Sequence, residues 1–214
     1  MNRLTKIAVL VSGGGTNLQA IIDAQKSGII KSGEVSLVLS NNASAYALHR
    51  AVNEGIPAAV VTRKKGATCD LDIPVYETAD RASQEDKLIE LLDEAGIELI
   101  VLAGFMVVLS EKFIKHFENR ILNVHPSLIP SFCGDGFYGL KVHEAALAKG
   151  VKVTGATVHF VNEITDGGKI LAQKAVCVKE DDTPETLQRR VMEEAEWIIL
   201  PETIERISHE HLCK

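Results

Sequence analysis

The stretch Lys6-Ile7-Ala8-Val9-Leu10-Val11-Ser12-Gly13-Gly14-Gly15-Thr16-Asn17 sets the reading of the chain. From Lys6 to Val11 it is a near-continuous apolar run, the mark of a strand covered on both faces of a parallel sheet. Three glycines break the run, and Leu18, Ile21 and Ile22 then recur at helical spacing towards a stop near Gly28. Strand, glycine turn and helix in that order make the first unit of an α/β half-sheet. Glycines let the backbone bend so that amides and the helix N-terminus face an anion, with Thr16 and Asn17 adding side-chain donors. No Gly-Lys-Ser/Thr follows, so this is not a P-loop, and the spacing of Gly-x-Gly-x-x-Gly is missing. A generic tight turn capped by Thr16 or Asn17 fits the same residues.

Outward from this unit, Val35 to Leu39 predicts a second strand, and Ser44 a cap for a helix carrying Ala47, Leu48 and Ala51. Pro57 to Val61 predicts a third strand, and Thr62 to Thr78 a surface loop. Ser83 with Asp86 resembles a capping box for a helix using Leu88, Ile89, Leu91 and Leu92, closed by Gly96. Glu98 to Ala103 is a further buried strand. The apolar Gly104 to Leu109 segment after it fits either a pocket wall or plain core, before Ser110 opens a short helix.

A second stretch, Ile121-Leu122-Asn123-Val124-His125-Pro126, places an amide and an imidazole two apart on one face of an apolar strand. Pro126 ends that strand, so both side chains lie at its C-terminal end, where open parallel sheets bind ligands. An amide and an imidazole suit an oxygen on which negative charge grows. The carboxylate to orient the imidazole would be Asp166, in Thr165-Asp166-Gly167-Gly168. A capping Asn, a core His and a turn Asp fit the spacing equally well. Thr157 to Val161 alternates as a half-covered strand does, and Ile170 to Val178 returns as the second arm of a hairpin delivering Asp166. Before it, Gly134 to Leu140 reads as an exposed glycine-rich loop, folded over a site or inert, and His143 opens a short helix ending at Gly150, near the pocket or, as a lone His more often is, structural. Thr183-Pro184-Glu185 starts the last helix, with Leu187, Val191, Ala195 and Ile198 as its inner stripe and Glu193, Glu194 and Glu196 as a solvated face.

The chain has 214 residues, 46% hydrophobic and 24% charged, with net charge −6. This predicts one α/β domain, 1–214, with no nucleic-acid or anionic-membrane surface, so that any phosphate is gripped locally by backbone amides. No apolar run approaches the roughly 18 residues of a membrane span, and the opening Met-Asn-Arg-Leu-Thr-Lys lacks signal-peptide character. Cys69, Cys133, Cys177 and Cys213 lie far apart and read as reduced thiols, so the expected location is the cytoplasm and no metal is expected.

Together, Val11 to Leu18, Leu102 to Met106, Asn123 to Pro130 and Gly155 to Gly168 resemble the phosphoribosylglycinamide formyltransferases, over about Lys6 to Pro201. The resemblance implies a mostly parallel twisted sheet, with a Rossmann-like nucleotide half to about residue 109, a catalytic and folate-binding half after it, and a C-terminal hairpin. It implies transfer of the formyl group of 10-formyltetrahydrofolate to the glycyl amine of 5-phosphoribosylglycinamide, in a monomer or homodimer. Asn123, His125 and Asp166 would be catalytic. Gly15, Thr16, Asn17, Gly104 and Glu196 would hold the nucleotide, with Glu196 on its ribose. Arg81, Met106, Val107, Val108, Leu109, Asn123, Asn162, Thr165 and Asp166 would hold the folate, the loop from Gly104 forming the pterin wall. Val107 stands where relatives often have Arg, and Gly134 to Leu140 departs from the usual form. A formyltetrahydrofolate hydrolase, another 10-formyltetrahydrofolate-dependent transferase, or a non-catalytic module for a phosphorylated ligand are the alternatives. A methionyl-tRNA formyltransferase or a deformylase would be expected to carry a further domain.

Overall fold

A computed structural model describes residues 3–213. Among them the strands form one eight-stranded sheet in the order β4-β3-β2-β1-β5-β6-β7-β8. These are β1 (Thr5–Val11), β2 (Gly33–Ser40), β3 (Ala58–Thr62), β4 (Val75–Glu77), β5 (Leu99–Leu102), β6 (Ile121–His125), β7 (Val153–Phe160) and β8 (Ile170–Cys177). β1 to β6 run parallel, and β7 and β8 add an antiparallel hairpin at the edge. The parallel strands need crossovers, supplied by α1 (Thr16–Lys26), α2 (Tyr46–Asn53), α3 (Arg81–Glu94) and α4 (Glu111–His116), and between β3 and β4 by a loop. α5 (Leu140–Lys149), α6 (Pro184–Val191), a π-helical turn (Met192–Glu196) and α7 (Trp197–Leu212) complete the chain. The order of strands reverses between β1 and β5, so their C-terminal ends open a crevice.

Alternation along the strands divides the core between the two faces of the sheet. Ile7, Val9 and Val11 pack with Leu18, Leu48, Ala146, Leu187 and Leu200, the side of α1, α2, α5, α6 and α7. Ala8 and Leu10 pack with Leu88, Leu92, Phe113 and Phe117, the side of α3 and α4. Burial of both faces accounts for the unbroken apolar runs of β1 and β5.

Several local expectations change. Thr62 to Thr78 contains the short edge strand β4, too short and too polar to announce itself. Asp80, not Ser83, caps α3: its carboxylate accepts from Ser83 N, and Ser83 Oγ accepts from Asp80 N. Ser44 caps nothing; its own amide donates to Asn42 Oδ1, and α2 begins after Ala45. α5 starts three residues before His143. β7 is covered on both faces from Thr154 to His159, because the Ser127 to Ile129 segment folds over its polar side: Thr157 Oγ1 donates to Ser127 O at 2.7 Å and accepts from Ile129 N at 3.1 Å. Ile198 is exposed and Ile199 and Leu200 take its place inside. The π turn there stretches the buried repeat to four-residue steps, Leu187, Val191, Ala195, Ile199.

Candidate active site

A cleft of about 760 Å³ runs along the C-terminal ends of β1, β5 and β6. Its floor at β1 is the glycine turn. Gly15 adopts a left-handed φ of 72°, and a Cβ there would lie 2.6 Å from Ala47 Cβ and 2.8 Å from Ala47 Cα, so α2 closes on the turn only because the side chain is missing. Ala47 N donates to Gly13 O, and Arg50 Nε donates to Gly14 O at 2.9 Å, so both carbonyls are engaged from the α2 side. No side chain caps α1, which leaves its first amides for a ligand in the cleft. Asn17 Nδ2 donates to Glu196 Oε2 at 2.8 Å, while the buried Asn17 Oδ1 has no partner among the described residues. Glu193 and Glu194 are exposed as expected, but the π turn carries Glu196 inward to 5% exposure. Burial pushes its carboxyl up to about 7, against the pull of Asn17.

The wall at β5 is Gly104 to Leu109. Gly104 has a left-handed φ of 70°, Ser12 Oγ accepts from Met106 N at 2.9 Å, and Met106 and Val108 are exposed at the rim. Arg81 is outside the cleft wall. It donates to Val108 O at 2.6 Å and to Glu85 Oε1 at 3.1 Å, and the buried Glu85 also accepts from Ser110 N and Oγ. Arg81 and Glu85 thus brace the outer end of that wall.

At β6, Asn123 and His125 share a face and stand opposite His159 and Thr157 of β7. The turn after β7 brings in Asp166, at a left-handed φ of 55°. A Cβ on Gly168 would lie 1.7 Å from Phe160 O, and one on Gly167 2.6 Å from Ile164 Cγ2, so the two glycines permit the tight return that aims the carboxylate. Asp166 Oδ2 lies 3.4 Å from His125 Nδ1 and accepts from Gly134 N at 2.9 Å, and Oδ1 lies 3.6 Å from His159 Nε2. Burial opposes ionisation of Asp166, but the Gly134 amide and the His125 imidazole opposite it hold the carboxyl below the usual carboxylate range. Burial lowers His125, outweighing Asp166 and the Phe132 carbonyl, so the imidazole is harder to protonate than a free one. Its Nε2 donates to Phe132 O at 2.8 Å.

His159, unassigned from the sequence, orients Asn123. Its Nδ1 donates to Phe160 O at 2.8 Å, which leaves Nε2 to accept from Asn123 Nδ2 at 3.1 Å. The second amide N–H of Asn123 remains for another acceptor. The signal was present in the Thr157/His159 alternation, but it needed the β6–β7 register to be read. Asn162, Thr165 and the Gly134 to Gly139 loop complete the rim, and Thr165 Oγ1 donates to Asp135 Oδ1 at 3.1 Å.

The family profile of the formyl transferases matches residues 5–204. The chain belongs to the formyl transferase family. Among formyl transferase relatives, the chain is 44% identical over 204 residues to the trifunctional purine biosynthetic protein adenosine-3 of Gallus gallus, covering 95% of this chain and 18% of that protein. It is 39% identical over 192 residues to the chloroplastic phosphoribosylglycinamide formyltransferase of Arabidopsis thaliana, covering 90% and 62%. The chain therefore spans less than two thirds of either relative. The crystal structure of glycinamide ribonucleotide transformylase 1 from Symbiobacterium toebii superposes with a TM-score of 0.83 at 40% identity, covering 97% of this chain and 89% of that one. The shared architecture is the mostly parallel sheet with its C-terminal hairpin. Among the described residues no helix is long and apolar enough to cross a membrane, and no three His, Cys, Asp or Glu side chains are grouped to hold a metal ion.

Proposed function

We propose that this protein transfers the formyl group of 10-formyltetrahydrofolate to the glycyl amine of 5-phosphoribosylglycinamide, the purine-synthesis step named by its relatives. The observation that carries the reading is the meeting of Asn123, His125 and Asp166 at one end of a cleft whose other end is the uncapped N-terminus of α1. The phosphate sits on the amides of Gly15, Thr16 and Asn17, and Gly104 and Glu196 flank the ribose. The folate lies against Met106, Val107, Val108 and Leu109, its other side covered by Asn162, Thr165 and Asp166. Val107 needs no particular side chain where the main chain makes the contacts, and Arg81 acts through its hold on Val108 O. The half to about residue 109 thus supplies the phosphate turn and one wall of the folate site, and the remainder supplies Glu196, the other side of the folate and the chemistry.

The cleft aligns amine and formyl carbon, lowering the entropic part of the barrier. Attack makes a C–N bond and turns the formyl oxygen into an oxyanion. The free N–H of Asn123 donates to that oxygen, and His125 Nε2–H exchanges Phe132 O for it. Asp166 holds the imidazole and favours its cation as negative charge grows beside it. Collapse breaks the bond to folate N10, and a water beside Asp166 carries the proton from the amine to that nitrogen. The reading has the enzyme act in the cytoplasm, as a monomer or homodimer.

The test is a spectrophotometric assay with a 10-formyl folate analogue, with and without 5-phosphoribosylglycinamide. Folate product that requires the nucleotide is the expected result. Release without it would make the protein a hydrolase, and no release under either condition would leave a binding role.

A further inference from the structure

His143, in the first turn of α5, is the one cleft imidazole whose ring atoms have no partner among the described residues. It is 0% exposed, it lines the cleft, and neither Nδ1 nor Nε2 makes a hydrogen bond. The other two cleft histidines differ: His125 faces Phe132 O and Asp166, and His159 faces Phe160 O and Asn123. A buried polar atom left unpaired is destabilising, so an imidazole with two is retained at a loss unless something enters to meet it. Burial, with His125 adding to it, lowers His143 to about 4, so the ring is neutral and offers one donor and one acceptor.

The fold also says which co-substrate His143 faces. Ala146, one turn along α5, is buried with Leu187 and Val191 of α6, on the α1 side of the sheet. From that same side Gln188, Met192 and Glu196 enter the cleft near Thr16 and Asn17. The Leu109 wall belongs to the opposite core, with Phe105 and Phe113. His143 is thus on the nucleotide side, close to the reaction centre at His125. With the phosphate at Thr16 and Asn17 and the amine at His125, as proposed above, the group between them is the glycinamide amide, which presents one N–H and one carbonyl.

Resting on the reading of the cleft as the formyl transfer site, we propose that His143 is a substrate-positioning residue that hydrogen-bonds the glycinamide amide of the nucleotide. It holds the terminal amine towards the formyl carbon. The test pairs kinetics with NMR on the full chain. His143→Leu is expected to raise the nucleotide KM roughly tenfold, the value of one buried neutral hydrogen bond, with the folate KM unchanged and Tm unchanged or higher. His143→Gln or His143→Asn is expected to recover part of the loss. In the wild type, the ring ¹⁵N shifts of His143 should move when 5-phosphoribosylglycinamide is added and stay in place with inorganic phosphate alone. Shifts that ignore the nucleotide, a loss confined to the folate KM, or an unchanged nucleotide KM in an active variant would overturn the proposal. If the wild type shows no nucleotide-dependent transfer, the functional reading fails, yet the ¹⁵N titration still decides whether the nucleotide touches His143.

Discussion

Asn17 and Glu196, 179 positions apart in the chain, meet at 2.8 Å in the wall of the cleft, and that contact ties the first helix to the π turn before the last. The carboxyl of Glu196 is raised from 4.5 to about 7. A raised acid contributes stability below its unfolded value and loses it as pH climbs to the folded one, here from about 4.5 to about 7. In the proposed complex Glu196 would accept from a ribose hydroxyl, best when ionised, so on that reading the nucleotide KM should fall between pH 6 and pH 8. Glu196→Gln should flatten that dependence and be more stable than the wild type at pH 8, with KM(pH) and Tm as the readouts.

Asp166 raises the affinity of His125 for a proton while burial lowers it more. Asp166→Asn should therefore drop the His125 pKa further, measurable by NMR titration, and reduce kcat. His125→Ala should cost on the order of 10²–10⁴ in kcat. A His125→Ala enzyme of near wild-type rate would remove His125 from the chemistry.

His159 fixes the Asn123 amide through Nε2. His159→Leu leaves Asn123 free to rotate and should lower kcat by about tenfold or more, with the nucleotide KM little changed, since in the proposed mechanism the lost donor acts on the oxyanion. Equal loss in a His159→Leu/Asn123→Ala double variant and in Asn123→Ala alone, seen in kcat, would confirm that His159 acts through Asn123.

Gly15→Ala puts a methyl into the backbone of α2 and forces a left-handed φ on an L residue. The expected cost is about 2 kcal/mol or more, a Tm lower by about 5 °C, with a weakened nucleotide KM. Calorimetry and the assay above check both.

His143 sets an acid limit on stability. Its folded value of about 4 lies below the unfolded 6.5, so the unfolded chain takes up the proton first. The stability is whole above about 6.5 and declines as pH falls towards about 4, by up to about 3 kcal/mol. His143→Leu should flatten this limb in denaturant melts at pH 4.5 and pH 7.

The sequence by itself determined the strand, glycine turn and helix at Lys6 to Asn17, the β6 stretch holding Asn123 and His125, and the family resemblance. These rest on local rules: apolar runs, the freedom of glycine and the two-residue repeat of a strand act within a few positions of the chain. Tertiary structure alone decided the rest. Glu196 left its solvated run because a π turn rotated it inward, and His159 became the partner of Asn123 because β6 and β7 pair in one register. Arg81 was bound to Val108 O at the outer end of the wall, and His143 was buried in the cleft with both nitrogens unpaired among the described residues. Pairings between residues tens to hundreds of positions apart, and the burial that shifts their proton affinities, exist only once distant segments pack together.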